Sequence, residues 1–370
     1  EEEEETEEDA RARRESRRTK RSLSIDSTSF FTMLDEENNE FRGPKLITFD
    51  GDQTLYSDGA NFDSNQELAN YLYFLLKNKV FVCIVTAAGY EYQSEKYELR
   101  LSGLLNFLEM KKLPVENCAR FYIFGGECNY LLKLGSDYRL HPVKEFGPGG
   151  WMTASKHMAD SPGNWSDSDI NFLLDTSEAI FNESVEEQKL RARVIRKKRS
   201  VGLVPSRNEI ISREALDETV LRVHDALQDA ETPIPFCAFN GGSDAWVDAG
   251  NKRVGVQVLQ AYLGIGSDET LHIGDQFLNT GNDYAARDSC PCLWITKPEE
   301  TTYILKILLR LAGVEHVLEQ RPTSINEAAP LNGTAPVNFN VAARKNSTAA
   351  LTMDVYTGEL IRNLEISAKK

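Results

Sequence analysis

Long apolar runs are missing from this chain. No stretch approaches the roughly 20 residues that a membrane-spanning helix requires, and the opening EEEEETEEDA is charged where a signal peptide would be apolar. No membrane partner is expected, and a cytoplasmic location follows. Cysteine is sparse too. The six, Cys83, Cys118, Cys128, Cys237, Cys290 and Cys292, are scattered through 370 residues, which excludes a disulfide framework and predicts reduced, buried thiols. The CPC at 290–292 lacks the two-residue gap of a zinc or redox pair and reads as packing. Asn164, Asn332 and Asn346 match a glycosylation acceptor, but nothing else indicates secretion, so they read as chance. Positive charge is in deficit: 42 Lys and Arg face 57 Asp and Glu, a net charge of -15. Such a surface repels nucleic acid, so none is expected as a partner. A small phosphorylated ligand needs only a few well-placed cations.

What is present suits a soluble, globular protein. Hydrophobic residues make up 41% and charged residues 27%, enough to bury a sizeable core. The ends differ from the middle. Residues 1–22 pass from a glutamate block into RARRESRRTKR and read as a disordered tail. From about 322 to 350 Pro, Asn, Ala and Thr dominate, predicting a loop before a terminal strand and helix at 351–366.

Between the ends, strand and helix signals alternate. KLITFD is followed by SNQE at 64–67, where Ser64 and Glu67 have capping-box spacing, and by Leu68, Tyr71, Leu72 and Leu75 at helical intervals. Continuous apolar runs at VFVCIVTAAG, RFYIFGG, TLHIGD and CLWIT read as strands buried on both faces. Helical patterns fall at 90–109, 253–263 and 299–312. This is an α/β fold with a parallel sheet, whose ligands gather outside the carboxyl ends of the strands.

In KLITFDGDQTLYSDGANF, Asp50 and Asp52 close the first strand; Thr86, the pair Gly125 and Gly126, and Gly274 with Asp275 close three others. All four tips should face one crevice. Clustered carboxylates repel one another unless a hard cation sits among them, and Mg2+ favours carboxylate and water oxygens. The chemistry that uses such a cluster is phosphoryl transfer. One carboxylate attacks phosphorus, its neighbour moves the proton, and a lysine and a hydroxyl hold the phosphoryl oxygens.

The motifs DGDQT, Thr86, Lys252 ahead of a helix, and GDQFLNTGND resemble, in order, the four motifs of the haloacid dehalogenase superfamily. More narrowly, CIVTAAGY, GGECNYL, FNGGSDAWVDAGNKRVGVQVL and GDQFLNTGNDYAARDSCPCLWI resemble the fungal and apicomplexan IMP-specific 5'-nucleotidases, over roughly residues 40–315. The resemblance implies a Rossmann-like parallel-sheet core with an inserted α+β cap domain, and Mg2+-dependent hydrolysis of IMP through an aspartyl phosphate. Asp50 would be the nucleophile and Asp52 the general acid and base. Thr86 and Lys252 would bind phosphate, while Asp50, the Asp52 backbone carbonyl and Asp275 would hold Mg2+. Asp58 and Asp244 would contact the nucleoside and Tyr284 would stack on the base. Asp283 reads as a supporting partner of the ligands, and Glu127 and Asn129 as pocket candidates without an assigned role.

The corresponding division is an N-terminal region at 1–40, core at 41–127, cap at 128–235, core again at 236–320 and a tail at 321–370. The basic KLRARVIRKKRS at 189–200 reads as a solvated helix face. Family members carry a helical N-terminal region tied to ATP activation and to a homotetrameric state. Here SLSIDSTSFFTMLDEENNEF corresponds to its end. Two rivals stand beside this reading. FNGGSDAWVDAGNK with GND also resembles the eukaryotic phosphomannomutases, and a non-catalytic nucleotide sensor could share the fold. TAAGY and GDQF fit the nucleotidase better, and the full acidic and basic set argues against lost chemistry.

Overall fold

The computed structural model describes residues 41–63, 65–147, 150 and 162–314, with two short strand segments at 351–353 and 360–362. The expected tail at 1–22, Ser64 and the loop at 322–350 lie outside the described residues.

The chain runs through β1 (Leu46–Phe49), α1 (Gln66–Lys77), β2 (Phe81–Val85), α2 (Ser94–Arg100), α3 (Ser102–Met110), α4 (Val115–Cys118) and β3 (Phe121–Gly125). A hairpin of β4 (Tyr130–Leu134) and β5 (Leu140–Pro142) follows. Next come α5 (Asp167–Glu187), β6 (Ala192–Arg196), β7 (Ser200–Pro205), α6 (Arg213–Asp229), β8 (Phe236–Asn240) and β9 (Ala245–Ala249). The fold closes with α7 (Lys252–Leu263), β10 (Thr270–Gly274), β11 (Cys292–Trp294) and α8 (Pro298–Leu311).

Seven strands form the main sheet in the order β11-β10-β1-β2-β3-β4-β5. The first five are mutually parallel and the β4–β5 hairpin is antiparallel. Every β1 residue is buried, as a strand covered by helices on both faces must be. On one face Leu68, Leu72 and Leu75 of α1 pack with Leu104 of α3 and Leu305 of α8; on the other, Val254, Val258 and Leu259 of α7 meet Val85 and Phe124. Truncating one such leucine to alanine costs about 2–5 kcal/mol. The chain leaves β1 for β2 on one side, and β10 pairs on the other. That reversal opens a crevice at the strand ends, where Asp50, Thr86, Gly126 and Asp275 emerge.

Several expectations change in detail. Helix α1 is capped by Asn65, whose Oδ1 accepts the Leu68 N–H at 3.0 Å, while Glu67 bonds the Tyr71 hydroxyl at 2.6 Å. The helix expected over 90–109 is two helices. Residues 62–63 press against Gly103, and Phe62 takes the Arg100 carbonyl and the Gly103 N–H into hydrogen bonds of 2.7 and 2.9 Å, which interrupts the ladder at Leu101.

The insertion also has different bounds from 128–235. β4 and β5 extend the main sheet, whereas β8 and β9 join β6 and β7 in a separate antiparallel sheet ordered β6-β7-β9-β8. The reason is periodicity. Ala245, Val247 and Ala249 alternate into a second core with Leu173 of α5 and Val220 of α6, the pattern of a sheet covered on one face. The basic stretch at 189–200 is the β6–β7 hairpin, not a helix. At the C-terminus Leu351–Met353 pairs antiparallel with Leu360–Arg362, a strand where a helix was expected. The six cysteines are free, five of them buried. Among the described residues no helix is long and apolar enough to cross a membrane.

Candidate active site

The Asp50 N–H donates to Ile273 O at 2.9 Å, continuing the β1–β10 ladder one residue past the strand. The chain then turns sharply, with Leu55 N–H returning to Gly51 O at 2.9 Å. Gly51 is needed there, because a Cβ would stand 2.5 Å from the Tyr56 hydroxyl and 3.4 Å from Thr86 Oγ1. Asp50 is thereby held at the floor of the crevice, almost wholly buried, while Asp52 lies higher on its wall.

Lys252 begins α7 directly after its cap, Asn251, whose Oδ1 accepts Val254 N–H at 3.1 Å. Its side chain is 0% exposed, with Nζ 2.6 Å from Asp50 Oδ1 and 2.7 Å from Asp283 Oδ1. Asp283 is equally buried. Its Oδ1 also meets His272 Nε2 at 2.8 Å, and its Oδ2 accepts the Gln276 N–H at 3.0 Å. Gly274 leaves the room for this carboxylate, which a Cβ would occupy. His272 in turn reaches Thr48 Oγ1 through Nδ1 at 2.8 Å. A polar chain thus runs through the sheet from Thr48 to His272, Asp283, Lys252 and Asp50.

The charges of this chain are coupled. Burial alone would lower the Lys252 ammonium, but the Asp283 and Asp50 carboxylates hold it well above its usual value. Burial would likewise raise Asp283, yet Lys252 and His272 keep it well below the carboxylate range. Asp50 is pushed up to about 6, chiefly by burial, with Lys252 opposing. Asp275 is pushed up to about 9 by burial and by the charges of Asp50 and Asp283.

Oxygens of Asp50, Asp275 and Asp283 lie within 4.8 Å of one another. Three carboxylates at that spacing call for protons or for a cation. Asp275 Oδ1 is buried and has no hydrogen-bond partner, an oxygen left for a hard ion. Asp283 is already engaged by Lys252, His272 and Gln276, so Asp50 and Asp275 are the carboxylates with capacity to spare. The donor set fits a divalent cation such as Mg2+, and Asp283 fits a supporting role.

Above this floor opens a cleft of about 820 Å³, lined by Asp50, Asp52, Thr86, Asp275, Asp58 and Asp244. Thr86 closes β2 nearly buried, its Oγ1 accepting Ala88 N–H at 3.1 Å. The second sheet forms the opposite wall. Burial raises the Asp244 carboxyl, the Trp246 hydrogen bond opposes this, and the charge of Asp58 adds to the rise, so these two acids share one region of the cleft.

Tyr284 is not brought to the cleft. It is 46% exposed, sits on the short turn Tyr284–Asp288 and lies beneath the Arg287 guanidinium at 5.1 Å. Among the rings that do line the cleft, with Tyr90, Tyr130, Phe239 and Trp294, is Trp246 of the second sheet, whose indole is covered by Lys197 at 4.0 Å. The alternation of AWVDA holds the signal that would have found it. With Ala245, Val247 and Ala249 facing the second core, Trp246 and Asp248 must face the other side. Asp248 lines the cleft as well, its carboxyl pushed up to about 7 by burial against the pull of Lys197 and Ser200.

The two unassigned candidates separate. Asn129 ties the sheets together, donating to Gly126 O and Ala249 O at 2.6 Å and accepting from Arg199 at 2.9 Å. Glu127 is fully buried, pushed up to about 8 by burial, and accepts from Asn282 Nδ2 at 3.0 Å. Arg100, unassigned by sequence, pairs with Asp52: its Nη2 is 2.6 Å from Asp52 Oδ1, which also accepts Gly59 N–H at 3.0 Å.

The model of the IMP-specific 5'-nucleotidase family matches residues 25–305. An IMP-specific 5'-nucleotidase 1 from Yarrowia lipolytica is 41% identical over 272 residues, covering 72% of this chain and 63% of that protein. Among solved structures, an IMP-bound mutant of Plasmodium falciparum IMP-nucleotidase is 37% identical, with a TM-score of 0.67 over 72% of this chain and 69% of that one. An ATP-bound form of the same Plasmodium protein is 38% identical, with a TM-score of 0.62 over 72% and 60% of the two chains. The chain spans about three fifths of the length of the curated relatives it matches. Since the matched stretch runs through the whole carboxylate cluster, from Asp50 to Asp283, the chain belongs to the IMP-specific 5'-nucleotidase family.

Proposed function

We propose that this chain hydrolyses IMP to inosine and phosphate by way of a phosphoryl group carried on Asp50. The observation that carries the reading is the buried Asp50 carboxylate, set between Lys252 Nζ at 2.6 Å and Asp275 at the floor of the cleft. The IMP-bound state of the Plasmodium relative supports the choice of nucleotide.

An Asp50 oxygen attacks phosphorus as the bond to the ribose 5'-oxygen breaks, and Asp52 gives that oxygen its proton. Water then attacks the phosphorus of the aspartyl phosphate, its proton passes to Asp52, and Asp50 is released. Lys252 and the Thr86 hydroxyl hold phosphoryl oxygens while charge redistributes. Asp50, the Asp52 backbone carbonyl and Asp275 would hold Mg2+, which when bound neutralises the crowded oxygens. Asp283 and His272 fix Lys252 from behind.

Phosphate chemistry alone selects no nucleoside, so selection belongs to the wall. Asp58 and Asp244 are suited to accept from ribose hydroxyls, and Trp246, in place of Tyr284, offers an aromatic face to the base. The second sheet, with α5 and α6, serves as the cap that keeps bulk water out. The ATP-bound relative supports ATP as a second, regulatory ligand; the matching segment, 22–41, falls all but its last residue outside the described residues. A homotetramer in the cytoplasm completes the proposal, and the free cysteines fit a reducing compartment.

The test is phosphate release with Mg2+ across nucleoside monophosphates and sugar phosphates, including mannose 1-phosphate with its bisphosphate activator. Release fastest from IMP supports the reading. Isomerisation of mannose 1-phosphate without phosphate release would establish the mutase. No release from any phosphomonoester would leave the nucleotide sensor.

A further inference from the structure

Among the described residues, both donors that hold the Asp52 side chain fall on one of its two oxygens. Arg100 Nη2 at 2.6 Å and Gly59 N–H at 3.0 Å meet at Oδ1, which leaves Oδ2 for the cleft that Asp52 lines. Arg100 is itself fixed. It is the last residue of α2, its carbonyl is bound by Phe62 N–H at 2.7 Å, and its guanidinium lies 5.0 Å over the Tyr56 ring. The side chain is 17% exposed. The pair is half-buried, held in one geometry and not freely solvated. A guanidinium braced by a ring and a helix end can fix the direction of a carboxylate.

We infer that Arg100 is a positioning residue for proton transfer. It pins Asp52 Oδ1 so that Oδ2 is aimed at the oxygen that leaves phosphorus and at the water that replaces it. The inference rests on Asp52 being the acid and base. In the first half-reaction the Asp50 oxygen bonds to phosphorus, the bond to the ribose oxygen breaks, and the proton on Asp52 Oδ2 moves to that oxygen. In the second, a water oxygen bonds to phosphorus, the Asp50–phosphorus bond breaks, and the water proton moves to Oδ2. Each half needs the same oxygen in the same place.

The consequence is a dependence on the leaving group. A ribose alkoxide needs the proton, whereas p-nitrophenolate leaves without it. Arg100→Ala should lower kcat for IMP by about a hundredfold or more, within the range of general acid–base catalysis, with KM little changed. The same variant should still release a burst of about one p-nitrophenolate per active site at nearly the normal rate, then slow while the phosphoryl group waits on Asp50. Adding Arg100→Ala to Asp52→Asn should cost nothing further on IMP, because both changes remove one function. Arg100→Lys should recover part of the loss.

Rapid-mixing kinetics of these variants on IMP and p-nitrophenyl phosphate, in Mg2+, decide the matter. A burst slowed as much as IMP turnover, or a further loss in the Asp52→Asn background, overturns the inference, because Arg100 then acts on the fold or on substrate. So does a raised KM with unchanged kcat. If Asp52→Asn itself loses IMP turnover and the burst equally, the assignment of Asp52 fails, and the inference falls with it.

Discussion

Without a cation, the carboxylate cluster should make the folded chain less stable as pH rises, and Mg2+ should remove part of that slope. Unfolded, these carboxyls ionise near 4. Folded, Asp50 keeps its proton to about 6, Glu127 to about 8 and Asp275 to about 9. The native state therefore holds more protons than the unfolded chain from roughly pH 4 upward. The stability these groups contribute is intact below the unfolded value and is lost as pH rises through each folded one. Asp283 has the opposite sign: its contribution exists above the unfolded value and is lost in acid. Each carboxyl protonated only in the native state costs about 1.4 kcal/mol per pH unit. From pH 6.5 to 7.5, Glu127 and Asp275 together account for about 2–3 kcal/mol, or roughly 4–12 °C in Tm. Mg2+ held as proposed would bind the ionised form of Asp50 and Asp275, and so would expel their protons. The stability gained with Mg2+ over EDTA should widen by about 1.4 kcal/mol per pH unit in this window, read as a widening gap in Tm. Glu127→Gln should remove its share of the slope in EDTA and leave that widening intact. Thermal unfolding across pH in the two buffers measures both. A metal-free Tm that is flat or rising from 6.5 to 7.5, or a Mg2+ gain independent of pH, would refute the reasoning.

Lys252→Met strips the cation from Asp50 and Asp283, each within 2.7 Å of Nζ, and should cost about 3–5 kcal/mol of stability at neutral pH; denaturant melts check this, and a loss under 1 kcal/mol would show that the pair is not buried as described. Asp58→Ala removes the acceptor proposed for the ribose and should lower kcat/KM for IMP about ten- to a hundredfold, from roughly 1.5–3 kcal/mol of lost hydrogen bonding. p-Nitrophenyl phosphate, which has no ribose, should change little, and equal losses on both substrates would make Asp58 a turn residue only.

The floor of the site was legible because its residues stand at strand ends, where apolar runs announce both the strand and the polar residue that closes it. Asp50, Thr86 and Asp275 converge as the β/α alternation predicts. His272 and Thr48 were not legible, since a polar residue inside an apolar run carries no mark of its partner across the sheet. The wall was harder. It comes in part from the hairpin of β8 and β9, whose alternation marks one buried face and one open face but does not by itself say which of the two sheets the hairpin joins. That choice moves the boundary of the insertion and turns Trp246 into the cleft, while Tyr284, adjacent to a recognised motif, faces outward. Arg100 was silent because an arginine at a helix end is ordinary until the break at Leu101 sets it beside Asp52.

In the proposed reaction the phosphoryl group passes through Asp50. The most direct measurement is acid quenching of the enzyme within milliseconds of mixing with phosphorus-labelled IMP and Mg2+, followed by digestion and mapping of the label. An acid-stable, hydroxylamine-labile label is expected on the peptide containing Asp50, absent from Asp50→Asn, which should also turn over no IMP. Sustained turnover by Asp50→Asn, or a label on another residue, would contradict it.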